Sequence, residues 1–455
     1  MDAFVGGLVY LLVAIGILVT IHELGHFLAA RACGVKVLRF SIGFGPIIFK
    51  MTGRNGCEYA LSAIPLGGYV KMEGENDLDE EQKELPKDSF KAQGVLKRAI
   101  IIFAGPFFNF LLAVLLFTLN NMHGVTIGYP VVGYVLPESS ASSAGFKTYD
   151  KIISFDNKEV NSWKNIMIEI FDNMGHDKNI PVKVSENIGK GPVRELSINL
   201  KNVKLNRNDD PLQKAGFIPC FGKITNEVGA IVENSPAQKA SIKVGDIITQ
   251  INGVKIDSWN ALRDIIDSSE IRDLEMVVER DGVKYLTTVK PVMQYDKLTQ
   301  KMKPFVGVGA TIEKIEGLSE NIKFGFVDAS LKAVDDCVDM SKLVLVSLYK
   351  LANGSISTEN ISGPIAIAKG AQESANIGLF FFLTFLAAIS VNLGIFNLLP
   401  IPVLDGGQLM FIAYEAIRGK APSIAVQKIL TIMGLAILLS LMVFSVFNDV
   451  KGLSY

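Results

Sequence analysis

Residues 3–26 read AFVGGLVYLLVAIGILVTIHELGH. The nineteen residues from Ala3 to Ile21 carry no charge, and the run passes without a break into His22-Glu23-Leu24-Gly25-His26. At ~1.5 Å of rise per residue such a helix covers about 30 Å, the depth of a bilayer's hydrocarbon core. Four residues of helix turn through about 400°, so the imidazoles of His22 and His26 project from one face and can share a metal ion. Glu23, beside them, is placed to take a proton from water held at such a centre. Ionisable groups at membrane depth are costly and tend to be functional. The stretch thus implies a membrane span with a metal site at its end. It lacks a basic leading region and a small-residue cleavage site, so it reads as a retained helix rather than a secretory signal.

Three more apolar runs follow: between Arg98 and Asn120, over Ile377–Leu399, and over Ile424–Phe447. The loop between the first two runs carries Arg31, Lys36, Arg39, Lys50, Arg54, Lys71, Lys97 and Arg98 among others, and the loop between the last two carries Arg418 and Lys420. Basic residues collect on the cytoplasmic side. Both loops are therefore expected inside, with the two ends and residues 121–376 outside. Met340–Leu351 is apolar but short and contains Lys342 and Lys350, so it is read as lying in the interface rather than spanning.

Apolar residues make up 49% of the 455-residue chain and charged residues 20%, a mixture of membrane and water-exposed parts. A net charge of −1 offers no basicity for nucleic-acid binding. The four cysteines, Cys33, Cys57, Cys220 and Cys337, form no regular pattern. Four free thiols are expected, with a Cys220–Cys337 bridge as the alternative in an oxidising compartment.

The only two tryptophans, Trp163 and Trp259, stand 96 residues apart. At that offset GYVLPESSASSAGFKTYDKIISFDNKEVNSW overlies GAIVENSPAQKASIKVGDIITQINGVKIDSW, with Asp150 and Ser162 among the recurring residues. A duplication of this length is a domain pair. Each copy reads as strand, small-residue helix start, strand, tight turn and helix. The second copy resembles the PDZ domains of bacterial periplasmic proteases. The first departs from it, with Ser140 for the proline and Tyr149 where Gly245 stands. PDZ domains bind extended peptide by strand addition; a spacer or size filter is the alternative.

A catalytic zinc wants a third protein ligand and an open position. The candidate is Asp405, in NLLPIPVLDGG from Asn397 to Gly407, where two prolines break the third helix. Alone, Asp405 reads as a helix cap or a loop carboxylate, and HExxH alone as a chance pattern at a helix end. Depth separates these readings: the first and third spans both run inward, and each delivers its motif after about 30 Å of helix.

HELGH after the first span, NLLPIPVLDGG after the third and an intervening PDZ-like pair together resemble the site-2 proteases. That resemblance implies one zinc ion held by His22, His26 and Asp405, with Glu23 as catalytic base and Asn397 holding substrate or oxyanion. It likens Ser41–Pro46 and Ala63–Met72 to a membrane-associated β element, where Gly67, Gly68 and Tyr69 would meet an unwound substrate; a plain hairpin is the alternative. Gly105-Pro106-Phe-Phe-Asn109 matches a motif beside the active site or, alternatively, a helix kink.

The implied substrates are single-pass membrane proteins: an anti-sigma factor already trimmed outside by a site-1 protease, and remnant signal peptides. The implied setting is the bacterial inner membrane, in contact with its lipid. A membrane-anchored PDZ adaptor with a structural metal is the rival reading, which leaves Glu23 without a purpose. His123, His176 and the acidic run Glu73–Glu84 read as ordinary surface.

The expected fold is a polytopic α-helical membrane protein with four transmembrane helices, a tandem pair of extracytoplasmic PDZ-like α+β domains and a small membrane-associated β element. The divisions are 1–33, the first helix and its motif, 34–97, a cytoplasmic loop with β elements, and 98–120, the second helix. Residues 121–218 and 219–310 form the two repeats, and 311–376 an amphipathic interfacial linker. The third helix with Asp405 takes 377–407, a cytoplasmic loop 408–423, the fourth helix 424–447 and the tail 448–455.

Overall fold

A computed structural model describes residues 2–75, 86–205, 209–296, 301–354 and 356–453. The chain forms two compact units, one holding the residues up to Val125 and from Asn321 onward, the other Thr126–Leu205 and Asp209–Glu320. Its principal helices in chain order are α1 (Asp2–Ala32), α2 (Val95–His123), α3 (Trp163–Asn173), α4 (Trp259–Asp267), α5 (Phe326–Ala352), α6 (Pro364–Ile377), α7 (Leu379–Asn397), α8 (Asp405–Arg418) and α9 (Ile424–Leu453). Most of the acidic run Glu73–Glu84 lies outside the described residues.

Four helices of the first unit are long and apolar enough to cross a membrane: Gly6–Ala32, Val95–His123, Leu379–Asn397 and Ile424–Lys451. These are the four runs read from the sequence. α2 begins three residues earlier than expected and passes through Pro106 as one helix, so that proline does not end it. Inside the unit, Leu18 of α1, Ala113 and Phe117 of α2 and Leu386, Ala387 and Val391 of α7 share one core. α9 is largely exposed, but Asp449 near its end accepts the N–H groups of Gly363, Ile365 and Ala366 at 3.0, 2.9 and 3.2 Å, capping the start of α6.

The expected surface segment Met340–Leu351 is the second half of α5, a helix of 27 residues. One face, with Ala333, Cys337, Met340 and Val344, packs into the core. Another presents Val327, Leu331, Val334, Val338, Leu345 and Tyr349 to the outside. Charges along the remaining face keep α5 out of the strongly apolar class.

Strands β1 (Val37–Thr52) and β2 (Glu58–Met72) pair antiparallel and fold back on themselves, so that Arg39 faces both Lys71 and Glu58. The resulting order is 68–72, 37–42, 58–62, 47–52. The first of these segments is an edge, and Ile48, Phe49 and Met51 on the last are exposed.

In the second unit the duplication reappears in the backbone. Ser139 and Ser235 each cap a short helix by accepting the N–H three residues on. Left-handed φ angles recur as Gly145 and Ser241, Tyr149 and Gly245, Asp156 and Asn252, and Asn157 and Gly253. Tyr149 therefore holds at φ 69° the conformation Gly245 adopts at 92°. Ser162 and Ser258 cap α3 and α4 in the same way. Each repeat also buries an aspartate against an arginine: Asp150 with Arg194 at 2.7 Å, Asp246 with Arg280 at 2.6 Å. The sheets differ, four-stranded in the first repeat and six-stranded in the second. The last strand of the second, Val308–Glu313, runs past the expected boundary at 310 because it follows its partner strand Lys223–Ile231. All four cysteines are free.

Candidate metal centre

The helical spacing works as anticipated: the Nε2 atoms of His22 and His26 lie 3.2 Å apart, both side chains buried. Asp405, more than 370 residues along the chain, brings its Oδ2 to 3.2 Å from His22 Nε2 and 3.5 Å from His26 Nε2. Two ligands on a tetrahedral metal with bonds of about 2.0–2.1 Å sit about 3.3 Å from each other. The three observed separations bracket that value. Oδ2 of Asp405 is buried and accepts no hydrogen bond, which a bound cation would remedy. Among the described residues this is the only trio of such side chains close enough to hold an ion.

Asp405 owes its place to a tight loop. The backbone turns through Ile401 N–H to Leu399 O at 2.7 Å, Leu404 N–H to Ile401 O at 2.8 Å and Gly407 N–H to Leu404 O at 3.0 Å. A side chain on Gly406 or Gly407 would overlap the carbonyls of Leu398 or Ile401, so the loop closes on α8 only with glycine there. Asp405 opens α8, where the helix dipole favours a carboxylate.

The two imidazoles are set by α2. His26 Nδ1 lies 2.9 Å from the Ile101 carbonyl, to which Nδ1–H donates, leaving Nε2 bare for a metal. The amide of Asn109 lies against His22 Nδ1, its Nδ2 3.1 Å away, while its Oδ1 is buried without a partner. Turned over, the amide places Oδ1 to accept from Nδ1–H, which removes the orphan and bares the second Nε2. Between these contacts a Cβ on Gly105 would overlap the His26 ring, so only glycine lets α2 pass beneath the pair.

Gly68 lies against the proposed base: a Cβ there would stand 2.9 Å from Glu23 Cγ. Gly67 packs on the Phe44 ring. The Tyr69 ring is stacked on Phe44 with centroids 6.3 Å apart, and its hydroxyl accepts from Arg39 Nη1 at 3.1 Å. Tyr69 is thus anchored within the sheet rather than to the metal cluster. Asn397 is the final residue of α7, half-buried, eight positions before Asp405.

The segment Gly105–Asn109 carried a signal in the sequence, though not which atom it served. The Ile101 carbonyl carried none, since a backbone acceptor can belong to any residue. His123, read as ordinary surface, stacks on Phe380 with centroids 3.5 Å apart.

The family model described as "Peptidase family M50" matches residues 10–441. The chain belongs to peptidase family M50. It is therefore a site-2 type metalloprotease, and membership of M50 implies zinc as its metal. Relatives agree over the full length. A protein described as "Regulator of sigma E protease" from Haemophilus influenzae is 38% identical over 451 residues, covering 98% of this chain and 99% of the relative. "Protease RseP" of Yersinia pestis is 37% identical over 447 residues, covering 97% and 98%. "Regulator of sigma-E protease RseP" of Escherichia coli K12 is 35% identical over 459 residues, covering all of both.

Proposed function

We propose that this M50 protease cleaves single-pass membrane proteins within their transmembrane segments, with His22, His26 and Asp405 holding one zinc ion and Glu23 acting as base. The observation that carries the reading is the convergence of three ligand atoms on the C-terminal half of a helix long enough to span. When bound, zinc supplies a Lewis acid that polarises a carbonyl and acidifies water. Glu23 takes the proton from the attacking water and returns it to the leaving amine. The segment Gly68–Met72, an edge of the β1–β2 sheet, offers its backbone to a substrate unwound into a strand, and Gly68 brings that strand over Glu23. The Asn397 amide has donors suited to the substrate carbonyl.

The relatives described as regulators of sigma E support a substrate in sigma-E regulation; we take it to be a membrane-spanning anti-sigma factor first trimmed by a site-1 protease. Remnant signal peptides are further substrates of the same chemistry. The basic loops support a bacterial inner membrane setting, with the metal centre toward the cytoplasmic side. The two repeats then lie in the periplasm as PDZ-like domains that exclude untrimmed substrate.

Glu23→Gln keeps the shape of the side chain and removes its basicity. The variant should retain zinc, by elemental analysis of the detergent-purified chain, and lose cleavage of a transmembrane substrate by a factor of at least about 100. Undiminished cleavage would defeat the assignment.

A further inference from the structure

The three ligating side chains arise from two distant pieces of chain, α1 and α8, yet both pieces meet one face of α2. Positions 98, 101, 105 and 109 fall on a single stripe of that helix, within about 80° of arc at 100° per residue. Ile101 takes the His26 ring, Asn109 meets the His22 ring and Gly105 clears the space between. The fourth member, Arg98, donates from Nη2 to Glu415 Oε1 of α8 at 2.5 Å. Both side chains are mostly buried, 13% and 21% exposed. Arg98 Nε also donates to the Gln93 carbonyl at 3.1 Å, which fixes the plane of the guanidinium.

Each charge stands at the wrong end of its own helix. Arg98 is in the first turn of α2, where the dipole disfavours a cation, and Glu415 is in the last turn of α8, where it disfavours an anion. Neither placement is explained by its own helix; each is explained by the other. Alongside, Ile412 of α8 packs in the core that holds Ile101 and Ile102 of α2 and Phe27 of α1.

We infer that the Arg98–Glu415 pair is a positioning clamp that sets α8 against α2 and thereby holds Asp405 opposite the two histidines. α2 is then the jig for the whole centre, fixing two ligands through their rings and the third through the helix that bears it. This rests on the zinc reading above.

The test is zinc affinity of the full-length chain in detergent, by competition with a chromophoric chelator. The absorption bands of the cobalt-loaded protein report ligand geometry, and the melting temperature of the metal-free protein reports fold. Arg98→Glu and Glu415→Arg should each weaken zinc about tenfold or more and alter the cobalt bands. The double exchange should restore affinity to within about threefold of the parent. Single reversals that keep parental affinity and bands would overturn the clamp. So would a double exchange that melts like the parent yet regains no affinity. Should the reversals fail to fold, Glu415→Gln becomes the readout: about tenfold weaker zinc supports the clamp, and unchanged affinity overturns it. A parent chain that binds no zinc would instead defeat the assigned metal centre, a different failure.

Discussion

At the residue scale the HExxH pair was legible because helical spacing alone decides that His22 and His26 share a face. Their supports were less so. A carbonyl such as Ile101 O leaves no trace in residue type, and Arg98 with Glu415 are separated by 317 positions. Asn109 lay between these extremes, visible as a polar residue in an apolar span but open to reading as a helix kink. Its position against His22 Nδ1 yields a prediction. Asn109→Leu removes the side chain that meets that nitrogen and leaves a buried N–H without this acceptor. Zinc affinity should fall by about 10–100-fold, the usual cost of losing an outer partner of a ligating histidine. Asn109→Asp, which still offers an oxygen, should keep most of the affinity in the same chelator competition. Equal affinities for the two variants would show that the amide does not orient the ring.

At the scale of elements, the four spans declared themselves through unbroken apolar runs, whereas α5 did not. Its core stripe, exposed apolar stripe and charged stripe together blur any single period, so only its more apolar half stood out. The duplication shows at an offset of 96 residues, which aligns Asp150 with Asp246 but not their arginines. Arg194 follows its aspartate by 44 residues and Arg280 by 34, because Arg194 stands near the start of strand Val193–Asn199, one strand further along its repeat than Arg280, the last residue of Leu274–Arg280. Burial alone would push the Asp246 carboxyl up; the Arg280 contact and the Lys243 N–H outweigh it and hold the group below the ordinary carboxylate range. A carboxyl depressed in the fold binds protons more readily unfolded. Its contribution is therefore complete above the unfolded value of about 4 and lost as pH falls through the lower folded one. Arg280→Met should destabilise the second repeat by about 2 kcal/mol near neutrality. Amide exchange in strands Leu274–Arg280 and Val283–Val289 of the full chain would measure it. The variant should also lose this acid-dependent part of the repeat's stability; a parent-like acid profile would show that Asp246 does not depend on Arg280.

At the scale of the whole molecule, the chemistry imposes a demand on the substrate. A transmembrane helix keeps its carbonyls in hydrogen bonds, so the proposed edge strand and the proposed base Glu23 reach a scissile bond only once the helix opens. Opening is resisted by propensity, and each glycine that replaces alanine lowers that resistance by about 1 kcal/mol. Two glycines placed beside the scissile bond should thus raise the open population by roughly 30-fold, provided cleavage is limited by opening. In liposomes, kcat/KM should rise by about tenfold or more over an otherwise identical alanine-containing segment. The same two segments grafted into an unstructured soluble carrier are already open, so there the glycine advantage should vanish. An equal advantage in both settings would mean that the glycines act as local specificity contacts, and that helix opening is not what this enzyme waits for.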